Sequence, residues 1–129
     1  MKQRYPDIEI YLAKVKREAI DAWLGETIEA SALAPAGKLR WRSRGRYRGD
    51  VIPILLVEKA ADGFASLWLD SPATPWTTDA ELARAAVAAL GCEVRCSLGG
   101  WHPGDDPDRF LQLSPGGDEA VIEWPDSGH

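Results

Sequence analysis

Thiols and imidazoles are scarce in this chain, with two cysteines and two histidines in 129 residues. Cys92 and Cys96 lie four positions apart in an alternating stretch, where a strand rise of about 3.3 Å per residue sets their Cα atoms about 13 Å apart. A disulfide needs Cα atoms within about 7 Å, so the two cannot pair inside that strand. Free, buried thiols in a reducing compartment are the expectation. Together with His102 they read C-x3-C-x5-H, a spacing that fits no standard zinc pattern, and no metal is expected.

Long apolar runs are missing as well. The longest, Val51 to Val57, is far short of the roughly 20 residues that cross a bilayer. The first residues, Met-Lys-Gln-Arg-Tyr-Pro-Asp, lead into an alternating stretch and not into a continuous apolar one. A secretory signal is therefore not expected, and a cytoplasmic location is. There is no G-x-S-x-G, no Walker or Rossmann glycine loop and no Cys-His pair that geometry recommends, so no catalytic residue and no cofactor is assigned.

What is present is an ordinary globular composition, 45% hydrophobic and 27% charged, which excludes the disordered and fibrous classes. One core suffices at this length, and a single domain over 1–125 with a loose tail at 126–129 is expected.

Ile8, Ile10 and Leu12 alternate with Glu9 and Tyr11, which predicts a strand with one buried face. A single long helix from Asp7 is the rival reading, and the β-branched start favours the strand. Ala19, Ile20, Trp23, Leu24 and Ile28 then recur at helical spacing, with Ala34-Pro35-Ala36-Gly37 as the stop. Residues 38–48 predict a second strand. Gly49-Asp50 turns into Val51–Val57, a third strand apolar on both faces and hence expected to be covered on both. Asp62-Gly63 is a hairpin signal leading to a strand over Phe64–Leu69. Thr78 and Glu81 stand at capping-box spacing before an alanine-rich helix that Gly91 closes. Strands follow over Cys92–Leu98, Phe110–Leu113 and Ala120–Trp124.

The order predicts an α+β fold of approximately duplicated β-α-β-β units, βαββ then βαβββ, with a mainly antiparallel sheet and two helices packed on it. That order is similar to duplicated strand-helix-strand-strand folds, the gyrase-inhibitor-like ligand-binding group among them, a resemblance of topology alone.

Two features carry a functional reading. Lys38, Arg40, Arg42, Arg44, Arg46 and Arg48 occupy every second position, so a regular strand projects them from one face. No acidic residue occurs between Ala30 and Gly49, and without these six cations the net charge would fall from −5 to −11. The bland reading is a solvated strand whose charges deter edge-to-edge pairing. The functional one is attraction to an acidic protein surface, with Arg40, Arg42, Arg44, Arg46 and Arg48 as partner-binding residues. Residues 101–129 hold seven acidic residues against Arg109, so a second copy could be that surface and a homodimer is the favoured assembly. Trp41 falls on the opposite face by parity, and the sequence pI near 5.0 is low for a nucleic-acid binder. Both weigh against nucleic acid.

The second feature is the pair of loops Asp70–Thr78 and Gly99–Asp108. Parallel flanking strands joined by the second helix would send both from one sheet edge. Trp76, Trp101, His102 and Asp105 could then line a small-ligand site, while the bland alternative folds the indoles down as a cap over the core. The leading expectation is a non-enzymatic interaction or ligand-binding module. The alternative is a small acid/base enzyme centred on His102.

Overall fold

In the computed structural model, which describes residues 4–98 and 108–124, the alternation at the start forms strand β1, Ile8–Leu12. Helix α1, Arg17–Ile28, follows and buries Ile20, Trp23, Leu24 and Ile28, while Ala19 falls outside the buried stripe. The helix ends earlier than the Ala34–Gly37 stop predicts. Glu29 takes a left-handed conformation (φ 50°) and returns its N–H to Leu24. Ala34–Pro35 form the two-residue strand β2 instead. Next come β3 (Arg40–Tyr47), β4 (Asp50–Ala61) and β5 (Phe64–Leu69). Helix α2 (Asp79–Leu90) leads to β6 (Val94–Ser97), β7 (Arg109–Leu113) and β8 (Glu119–Glu123).

The fold is α+β, two helices on an eight-stranded antiparallel sheet of order β2-β3-β4-β5-β1-β6-β7-β8. Both halves of the chain run strand, helix, three strands. The central strands cross over between them, with β5 beside β4 and β1 beside β6. Turn chemistry sets the registers. Arg48-Gly49 and Asp62-Gly63 each place two consecutive residues at positive φ, as two-residue hairpin turns require. They pair Tyr47 with Asp50 and Ala61 with Phe64. Thr78 caps α2 by accepting the Glu81 N–H at 3.2 Å, and Gly91 closes it at φ 63°.

Both helices cover the same face, where Ile8, Ile10, Leu12, Ile52, Ile54, Leu56, Leu67, Leu69 and Val94 form the core. Gly45 is what lets α1 approach β3. A Cβ there would lie 2.8 Å from Ile28 Cδ1 and 2.9 Å from the Ile28 carbonyl oxygen. The outer face has a smaller cluster of its own, built by Phe64, Phe110 and Trp124 with Tyr11 and Ile122 packed on it. Four strand intervals separate β5 from β8, about 19 Å on a flat sheet. The rings of Phe64 and Trp124 nevertheless lie 5.0 Å apart, so this end of the sheet is strongly curled. Among the described residues, no helix is long and apolar enough to cross a membrane.

Candidate functional site

The arginine ridge forms where the alternation places it, with limits. Arg40, Arg42, Arg44 and Arg46 are exposed on the outer face of β3. Lys38 precedes the strand, and Arg48 belongs to the turn, with φ 51° and its guanidinium 5.2 Å from the Tyr47 ring centre. The ridge thus has four regular members and not six. Trp41 points to the helix side, half-buried, with the Arg17 guanidinium stacked 3.9 Å from its ring centre.

Edge protection does not account for the charges from Arg40 to Arg44. The segment before β3 runs along its free edge. Ser31 N–H donates to Arg44 (3.1 Å), Ala36 N–H donates to Arg40 (2.9 Å), and Ala34 pairs with Arg42. The Ser43 hydroxyl also donates to the Ser31 carbonyl at 2.5 Å. From Arg40 to Arg44, β3 is thus covered along this edge, and its outer face carries the charge.

Beside the ridge lies an apolar row. Arg40, Arg42, Arg44 and Arg46 pair with Val57, Leu55, Pro53 and Val51 of β4. Val51 is 46% exposed, Pro53 is exposed, and Leu55 and Val57 are half-buried. Among the described residues, the cover expected on both faces of this strand is therefore present on only one, the face on which both helices pack. One register further, Leu55 pairs with Trp68 of β5, and Trp68 with Glu9 of β1, so a transverse line reads Arg42, Leu55, Trp68, Glu9. The Trp68 indole is half-buried and donates to Asp7 at 2.7 Å. An open groove of about 510 Å³ runs where Arg42 and Arg44 meet Val51 and Pro53, with Ser31 and Ala34 on its far wall. Among the described residues, none of the four ridge arginines has a carboxylate partner; Arg17, Arg84 and Arg95 do.

The loop-edge site resolves differently. β5 and β6 both run antiparallel to the strand between them, so they are parallel to each other and their following loops leave from one edge. Trp76 is half-buried against Trp23, ring centres 5.7 Å apart. Its loop is pinned from below, since the Arg4 guanidinium donates to the carbonyls of Pro72 (2.5 Å) and Thr74 (2.8 Å). Tyr5 N–H adds a bond to Thr77 at 2.8 Å. That is the cap arrangement for Trp76. Trp101, His102 and Asp105 lie outside the described residues.

At the same edge stands a residue to which the sequence pattern assigns no role. β1 pairs with β6 only at Tyr11 and Leu12, which leaves the Glu9 N–H without a strand partner on that side. The buried Asp79 fills the gap, accepting the Glu9 N–H at 2.9 Å and the Ser97 hydroxyl at 2.8 Å. Burial raises the Asp79 carboxyl above its ordinary range, and the two hydrogen bonds oppose that only in part. Glu9 is raised too, by burial and then by Asp79 and Asp7. An aspartate just after an N-cap is common in helices, so nothing in the spacing distinguishes this one.

Cys92 and Cys96 are free and buried. Burial pushes the Cys96 thiol up to about 12, which leaves it protonated and unreactive at neutral pH.

Comparison with protein-family models, curated proteins and solved structures gives no match for this chain. The resemblance to gyrase-inhibitor-like folds therefore rests on element order alone.

Proposed function

We propose that this chain is a non-enzymatic interaction module that docks an acidic protein surface on the outer face of β3 and β4. The observation that carries the reading is the conjunction, among the described residues, of four arginines with no carboxylate partner and an apolar row alongside them with no cover. Unpaired like charges about 6.7 Å apart repel one another. A partner's carboxylates would relieve that repulsion, and its apolar groups would remove Val51, Pro53 and Leu55 from water. Phosphates would engage the arginines alone, so the apolar row favours protein over nucleic acid. The enzymatic alternative depends on His102, which lies outside the described residues.

Titration with poly-L-glutamate, followed through tryptophan fluorescence, tests the reading. Binding is expected to weaken steeply between about 50 and 300 mM salt as screening shortens. The double change Arg42→Glu and Arg44→Glu should abolish it while leaving the unfolding temperature near that of the unaltered protein. Binding indifferent to both would overturn the proposal.

A further inference from the structure

The dimensions of this face also bear on the shape of its partner. Side chains on one face of a strand recur about every 6.7 Å, so the ridge from Arg40 to Arg46 is about 20 Å long. Residues four apart on an α-helix recur about every 6 Å, so three such steps cover about 18 Å. The mismatch of about 2 Å over the whole ridge lies within the reach of flexible arginine side chains. Across the strands, β3 to β5 spans two intervals, about 10 Å, which matches the diameter of a helix with its side chains.

An extended segment with carboxylates at alternate positions would match the spacing along the ridge still more closely. It would, however, press backbone N–H and C=O groups against an apolar row that offers them no partner. A helix satisfies those groups internally. Sheet faces in layered folds are covered by helices or by other sheets, as α1 and α2 cover the opposite face here.

We infer that the partner presents an amphipathic α-helix laid over β3 and β4 at a tilt of about 26°, which brings its inclined row of carboxylates at every fourth position along the ridge, with aliphatic residues on its underside. The carboxylates meet Arg40, Arg42, Arg44 and Arg46. The aliphatic residues cover Val51, Pro53 and Leu55, and Trp68 borders the far flank. This inference rests on the reading of the β3–β4 face as a docking surface for acidic protein.

Three peptides of one composition separate the shape of the partner from its charge. Each has about 14 residues, enough helical rise to span the ridge. The first carries glutamate at every fourth position with leucines on the adjoining face, the second sets the same glutamates and leucines at alternating positions in one central block, and the third is scrambled. Binding to the full chain is read by anisotropy of a label on the peptide, and helix formation by circular dichroism.

The helical peptide is expected to bind about tenfold tighter than either of the others, a difference of about 1.4 kcal/mol. It should gain helicity on binding and lose its advantage with Arg42→Glu and Arg44→Glu. If the alternating peptide binds as tightly as the helical one, the helix is wrong, whereas the docking face stands as long as poly-L-glutamate binds through the ridge. If a single-stranded oligothymidylate outcompetes all three peptides, both the helix and the protein partner are overturned. A concentration-dependent dimer that the double variant abolishes would put a second copy on the face and overturn the helix proposal.

Discussion

The indole Nε1 of Trp124 donates to the Asp62 carboxylate at 2.8 Å, joining the end of β8 to the β4–β5 turn. The same ring meets Tyr11, Phe64 and Phe110 at centroid distances of 5.2, 5.0 and 5.2 Å, and Arg95 stacks on it at 4.6 Å. At 3% exposure Trp124 is the keystone of the curled end of the sheet. Trp124→Ala is expected to cost about 3–5 kcal/mol, the usual range for removing a buried large aromatic. Asp62→Asn keeps both an acceptor and a side chain that tolerates positive φ, so it should cost much less than Asp62→Ala. Urea unfolding of the three variants checks the order. Equal losses for the two Asp62 variants would mean that the hydrogen bond contributes little.

Gly45 interrupts the arginine-rich strand with no visible reason in the sequence, and its reason is Ile28. The contact includes the Ile28 carbonyl oxygen at 2.9 Å, which no side-chain rotation can relieve, so Gly45→Ala must push α1 off β3. A loss of about 1–3 kcal/mol is expected, as for other overpacked sites. Ile28→Val removes one methyl from the clash and leaves the carbonyl in place. Adding it to Gly45→Ala should therefore restore only part of the loss, and full rescue in urea unfolding would show that the side chain alone sets the approach.

Seven of the eight strands, both helices, the Asp62-Gly63 hairpin and the α2 cap were legible because each rests on local chemistry, whereas the turn read at Gly49-Asp50 falls one residue earlier, at Arg48-Gly49, with Asp50 already paired to Tyr47. What escaped the sequence depends on distant partners. Ala34-Pro35 looks like a helix stop, yet it becomes a strand because the hydrogen-bonding edge of β3 is there to receive it. The arginine alternation implied six ridge members, but pairing of Tyr47 with Asp50 puts Arg48 in the turn. The uncovered row of β4 could not be read from its apolar pattern, since that pattern is the same whether the second cover comes from this chain or from another. Asp79 gave no signal, because its role depends on β1 and β6 parting at Glu9, 70 residues earlier in the chain.

The raised carboxyls of Asp79 and Glu9 set the sign of one pH dependence. A group whose folded pKa lies above its unfolded value binds its proton more tightly in the folded state. The stability it contributes is complete below the unfolded pKa, near 3.8 for Asp79 and 4.5 for Glu9, and is lost as pH rises through the folded pKa. Asp79→Asn keeps an oxygen for the Glu9 N–H and offers an amide donor to the Ser97 oxygen. The variant is therefore expected to match the unaltered protein near pH 4 and to exceed it in stability at pH 7. Unfolding midpoints across that range decide the matter, and a variant less stable at pH 7 would show that the charged form is the one the gap favours.

Arg48 occupies the first turn position at φ 51°, where Asn before Gly is the preferred pair and a long side chain is strained. Arg48→Asn should therefore stabilise the fold by about 1 kcal/mol, the order of the left-handed penalty it relieves. The stacking of the guanidinium on Tyr47 at 5.2 Å, an exposed contact, offsets part of that gain. Because Arg48 lies off the regular ridge, the same change should weaken poly-L-glutamate binding far less than Arg44→Asn, which removes a central ridge charge. Thermal unfolding and the fluorescence titration, run on both variants, test the two halves together. A binding loss at Arg48 as large as at Arg44 would extend the docking face over the turn, placing the partner's contact beyond the end of β3.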